Sequence, residues 1–106
     1  LLTGRMTLAD ENRFQGEDLR ARSFKGEAFA RELAKVEKLR FLVHGPVQSL
    51  GQAAIAFCAA HPAVSVTIPG ARDDRQMREN AAAADLTLPR QDLDRIAELW
   101  RSGVLS

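Results

Sequence analysis

Cysteine is nearly missing from this sequence: Cys58 is the single thiol in 106 residues. An intrachain disulfide is therefore excluded, a thiolate metal cluster is a poor reading, and a reduced, cytoplasmic setting is expected. A charge of one sign is also missing. Fifteen basic and fourteen acidic side chains are interspersed and leave a formal charge of +1, so no basic face marks a nucleic-acid or anionic-membrane partner. Long apolar runs are absent as well. The stretch Ala53 to Ala60 is too short to span a bilayer, and no basic-then-apolar leader opens the chain, so a soluble protein with no membrane partner is expected. Leu1-Leu2-Thr3-Gly4-Arg5 brings neither an initiator methionine nor an approach to a first element, and reads as a start inside something larger.

What remains is ordinary globular material, 45% apolar and 27% charged, enough for one small domain with a modest core. Residues 1–25 hold Leu8, Phe14, Leu19 and Phe24 at the period of neither helix nor strand, and predict a long loop with a short helical turn. From Glu27 to about Leu42, the stripe Phe29, Leu33, Val36 and Leu39, widened by Ala30 and Ala34, predicts an amphipathic helix stopped by Gly45-Pro46. Ser49 and Gln52 have the spacing of a capping box for a second helix, on Leu50, Ala53, Ala54 and Phe57, that ends before Pro62. That helix is apolar almost all round, which predicts burial against two neighbours.

Val64-Ser65-Val66-Thr67-Ile68 is β-branched at four of five positions and closed by Pro69-Gly70, which predicts a short buried strand over 64–68. One strand cannot pair its own backbone, so it needs partner strands the chain does not contain. Asp73 or Asp74 caps a third helix to about Ala84, carrying Met77, Asn80, Ala81 and Ala84. Pro89 opens a fourth on Leu93, Ile96, Ala97 and Trp100, ended by Gly103. Trp100 is expected to anchor it. A buried strand among helices is the grammar of an α/β fold.

The segment Ile68-Pro69-Gly70-Ala71-Arg72-Asp73-Asp74-Arg75-Gln76-Met77-Arg78-Glu79-Asn80 runs from strand through glycine turn into helix. Gly70 admits a close backbone approach, the helix start offers unpaired N–H groups, and Arg72 has the fork that grips a phosphate. On spacing alone a tight turn with a solvated arginine fits equally well. The wider pattern resembles the aldo-keto reductases, whose last barrel strand ends in Ile-Pro-Gly before a helix bearing Gln-x-x-Glu-Asn. Leu1-Leu2-Thr3-Gly4-Arg5 is similar to the turn after that family's seventh strand, which leans on the cofactor pyrophosphate. Arg13-Phe14-Gln15-Gly16-Glu17 and Phe29 to Val36 look like its long loop and following helix, Ser49 to Pro62 like its seventh barrel helix, and Asp85 to Trp100 like its C-terminal helix.

The resemblance implies the C-terminal part of a (β/α)8 TIM barrel: residues 1–25 as a cofactor-side loop, and residues 26–106 as the last barrel helices, eighth strand and C-terminal helix of one incomplete domain. It implies NADP(H) as cofactor of the complete enzyme, held through Gly4, Arg5, Gly70, Ala71 and Arg72 on the phosphates and Gln76, Glu79 and Asn80 around adenine. The family's catalytic Asp, Tyr, Lys and His come from its first four strands; this chain has no tyrosine at all, and no residue here is assigned to catalysis or to a metal. A carbonyl substrate belongs to the complete enzyme only. The partners expected are the missing N-terminal barrel portion or a second copy of the chain, the latter in a rival reading as a self-associating or protein-binding helical module. His44 and His61 read as turn or surface residues, Cys58 as a packed core thiol, and Arg75, Arg78 and Arg95 as solvated helix faces.

Overall fold

In the computed structural model, the described residues are 2–10 and 25–106. They form four α-helices, α1 (Gly26–Glu37), α2 (Leu50–Ala60), α3 (Asp74–Ala82) and α4 (Arg90–Arg101), with 3-10 turns at Leu8–Asp10, Arg40–Leu42 and Ala83–Asp85. The 3-10 turn at residue 8 is the short turn expected in the opening loop. The remainder of that loop, residues 11–24 with Phe14, Leu19, Phe24 and the Arg13 to Glu17 segment, lies outside the described residues.

Helix α1 buries Phe29 and Val36 of the expected stripe and ends at Glu37, five residues before the expected stop. The backbone tightens there into the 3-10 turn, whose Arg40 donates to the Glu37 carboxylate at 3.0 Å and to the Gly4 carbonyl at 3.3 Å. Ser49 caps α2, accepting from the Gln52 backbone N–H at 3.2 Å. The capping box is not reciprocal. The Gln52 side-chain oxygen accepts from the Gln48 N–H at 3.0 Å, and its amide donates to the Glu79 carbonyl at 3.0 Å. Asp73 caps α3 by accepting from the Gln76 N–H at 2.8 Å, so of the two candidate aspartates it is the one at the N-cap. Pro89 sits at the N-cap of α4, and Gly103 takes the left-handed φ of 78° after it.

The core is Val36, Leu42, Val47, Leu50, Ala53, Ala56 and Leu88, with Leu39, Phe41, Leu86, Leu93 and Ile96 packed around it. The end of α1, the turn and loop after it, and the segment leading into α4 thus pack with α2. A polar tie crosses the same region, where His44 Nε2 lies 2.6 Å from the carboxylate of the buried Asp92 and fixes the loop after α1 against the first turn of α4. His44 is therefore more than a turn residue. Arg95 stacks 4.0 Å above the Phe41 ring instead of standing free in solvent.

Residues 64–68 correct the sequence reading. Among the described residues there is no β-strand, and this segment runs without regular structure. Val66 is 73% and Ile68 88% exposed, while Thr67 Oγ1 is buried without a hydrogen-bond partner. The physical reason is that a ladder exists only between strands, and none of the described residues forms a second strand to pair with this segment. Three further expectations fail in the same way. Phe57 is 45% and Trp100 66% exposed, and Cys58 is an exposed free thiol rather than a core one. They border an open apolar groove of about 580 Å³ between α2 and α4, because α2 has one packed side where its composition provides for two. No helix of the described chain is long and apolar enough to cross a membrane.

Candidate cofactor site

The site is built where the start of α3 meets the opening loop. Gly70 precedes α3, and a Cβ placed on it would meet nothing within 4 Å, so its backbone faces open space. The turn is held rigidly from inside the chain. Asn80 donates from its amide to the Gly70 carbonyl at 3.1 Å, and the Gln76 side chain accepts from the Arg72 backbone N–H at 3.0 Å. With Asp73 on the helix cap, the turn and the first two turns of α3 form one hydrogen-bonded block.

Arg5 comes to this block from the other end of the chain, its Nη2 lying 3.2 Å from Glu79 Oε2. Arg75 approaches the same oxygen at 3.6 Å along the helix, which is the i,i+4 pair expected of a solvated helix face. The other oxygen, Oε1, accepts from Ser49 Oγ at 2.7 Å. These contacts enclose an open cavity of about 270 Å³ lined by Arg5, Gly70, Arg72, Gln76, Glu79 and Asn80, together with Thr3, Met6 and Gly51. Arg72 makes no salt bridge among the described residues, so its guanidinium is available to an anion.

Six of the eight candidate residues thus line one cavity. Ala71 is half-buried beside it and outside its lining. Gly4 serves the wall rather than the cavity: its φ is 70°, and an added Cβ would lie 3.2 Å from Arg40 Nη1. Gly4→Ala is accordingly expected to cost about 1–2 kcal/mol, the penalty of a left-handed non-glycine residue, read as a lower denaturant midpoint with an unchanged slope. Thr3, Met6, Gly51, Ser49 and Gln52 are neighbours that sequence reasoning missed. The last two were visible only as a cap, since nothing local announces a bond between residues 49 and 79.

Chemically, the cavity offers two cations, a glycine turn and the positive end of a helix, which suits a phosphate-bearing ligand. Among the described residues no group of three or more His, Cys, Asp and Glu could hold a metal ion.

The turn before α3 and the start of that helix thus form a cradle lined by Arg5 and Arg72, set among helices that expose apolar faces at Phe57 and Trp100. The model of the aldo/keto reductase family matches residues 1–101, and the chain belongs to that family, whose fold is the TIM barrel. Searches of curated proteins and of solved structures gave no significant match.

Proposed function

We propose that this chain supplies the adenosine-phosphate part of an NADP(H) site in an aldo/keto reductase barrel and reduces no carbonyl by itself. The observation that carries the reading is the cavity at the start of α3, which gathers Arg5 and Arg72 with Gln76, Glu79 and Asn80 from distant parts of the sequence. Arg72 and Ala71 would hold the 2′-phosphate with the Gly70 turn, Arg5 the neighbouring phosphates, and Gln76, Glu79 and Asn80 the adenine pocket. The bound dinucleotide supplies hydride to an aldehyde or ketone in the complete barrel. A tyrosine to protonate that carbonyl has no counterpart in this sequence.

The partner is the N-terminal barrel portion, whose strands would pair residues 64–68 and cover the groove bordered by Phe57 and Trp100. In this reading residues 1–25 are the cofactor-side loop and residues 26–106 the closing helices and eighth strand. The setting is cytoplasmic, where an exposed Cys58 thiol is not driven into mixed disulfides. Titrating the chain with NADP⁺ and NAD⁺ tests the reading: tighter binding of NADP⁺ supports a preformed site, equal binding of both rejects the 2′-phosphate assignment, and absent binding leaves only a relic of the site in this chain. Reductase turnover by the purified chain would reject its inactivity.

A second reading, a self-associating helical module, draws on the exposed Val66 and Ile68 and the open groove. Light scattering separates the two. A monodisperse monomer removes self-association, and a stable dimer supports it.

A further inference from the structure

Glu79 has no free choice of orientation. Ser49 donates to Oε1 at 2.7 Å while accepting from the Gln52 N–H at 3.2 Å. Gln52, 4% exposed, holds the Glu79 backbone carbonyl at 3.0 Å with its amide. The start of α2 therefore grips Glu79 twice, by side chain and by backbone. The remaining oxygen, Oε2, is turned to Arg5 at 3.2 Å. We propose that Ser49 and Gln52 are positioning residues of the cofactor site, holding Glu79 so that its carboxylate fixes Arg5 at the cavity wall and stays out of the path of an incoming phosphate. This rests on the proposed NADP(H) reading and deepens it.

A carboxylate beside an anion site repels the ligand unless its charge is engaged elsewhere. Ser49 Oγ engages Oε1, and the Arg5 guanidinium engages Oε2 with Arg75 3.6 Å from the same oxygen; charge-assisted bonds of this kind are the strong ones. Without the serine donor, Glu79 Oε1 loses its partner and the carboxylate can rotate toward the cavity, and Arg5 loses its fixed counter-charge. Ser49 also caps α2, so a plain Ser49→Ala variant would mix loss of the cap with loss of the donor.

Asparagine and aspartate separate the two roles, because both cap helices about as well as serine. Only asparagine carries a donor for Glu79. The chain and its Ser49→Asn, Ser49→Asp, Glu79→Gln and Ser49→Asp/Glu79→Gln variants are titrated with NADP⁺ and NAD⁺ by calorimetry, and their unfolding midpoints are compared. Ser49→Asn is expected within about threefold of the parent for NADP⁺, and Ser49→Asp about tenfold or more weaker, the scale of one lost hydrogen bond to a charged group. That loss should shrink to about threefold or less when Glu79→Gln is already present, because residues acting through one another are non-additive. Parent-like binding by Ser49→Asp, an equal loss in Ser49→Asn, or an undiminished loss in the Glu79→Gln background would each overturn the proposal. If the parent chain shows no preference for NADP⁺, the cofactor reading fails first and the positioning role falls with it.

Discussion

Leu50→Ala is expected to lower the unfolding free energy by about 2–3 kcal/mol, in the lower part of the range for emptying a buried leucine site. Leu50 is 3% exposed and belongs to the core with Val47, Ala53, Ala56 and Leu88. Its loss removes transfer free energy and opens a void at the point where the opening loop meets α2, since its Cδ1 lies 3.5 Å from the position of a Cβ on Gly4. The estimate stays below the top of the range because Leu50 also borders the apolar groove, so the new space joins existing open volume. In a domain of this size total stability is only about 5–15 kcal/mol, so the variant is a severe one. Phe57→Ala supplies the contrast. At 45% exposure Phe57 should cost less than about 1 kcal/mol despite its larger side chain. Denaturant unfolding of both variants checks the pair, and a Phe57→Ala loss equal to that of Leu50→Ala would mean that the groove is covered in solution.

The helices were legible because each carries its own evidence. The Phe29 and Val36 stripe, the Ser49 and Asp73 caps and the glycine at residue 103 act within a turn or two of chain, the range over which sequence spacing reports geometry. Residues 64–68 show the opposite case. Their β-branched pattern states the environment the segment suits, a buried sheet, but pairing depends on another strand, and Val66 and Ile68 lie exposed without one. Trp100 and Phe57 were misplaced for the same reason, since an apolar side chain marks a face to be covered and not the element that covers it.

At the candidate site the split runs along the same line. The Gly70 to Asn80 segment reads from sequence because turn, cap and helix follow one another. The ties that give it a wall do not: Arg5 to Glu79, Ser49 to Glu79 and Gln52 to the Glu79 carbonyl join three separate segments. Gln52 is the sharpest example. Its spacing from Ser49 suggested a local bond, and burial drew its amide to α3 and its carbonyl to Gln48. His44 and Asp92, 2.6 Å apart across the fold, left no local sign either.

Arg72→Ala should weaken NADP⁺ binding by about 10- to 100-fold, matching the 1.5–3 kcal/mol scale of hydrogen bonds to a charged group, while NAD⁺ binding changes by about twofold or less. Arg72 lines the cavity and makes no salt bridge among the described residues, so its side chain has no structural duty to lose. The turn it stands on is held by backbone: the Arg72 N–H reaches Gln76, and the Gly70 carbonyl accepts from Asn80. Both bonds survive the substitution. Stability should accordingly move by less than about 0.5 kcal/mol, as for a surface change away from such ties. Arg72→Lys keeps the charge and loses the planar fork, so its affinity should fall between those of the parent and the alanine variant. Arg5 gives the complementary result. Its guanidinium is tied to Glu79 and is assigned to the phosphates both nucleotides share, so Arg5→Ala should weaken NADP⁺ and NAD⁺ together and leave their ratio nearly unchanged. Calorimetric titration of the three variants with both nucleotides decides the matter: a selective loss at Arg72 beside an unselective one at Arg5 separates the 2′-phosphate contact from the rest of the cradle, and equal losses of both nucleotides at Arg72 would remove that assignment.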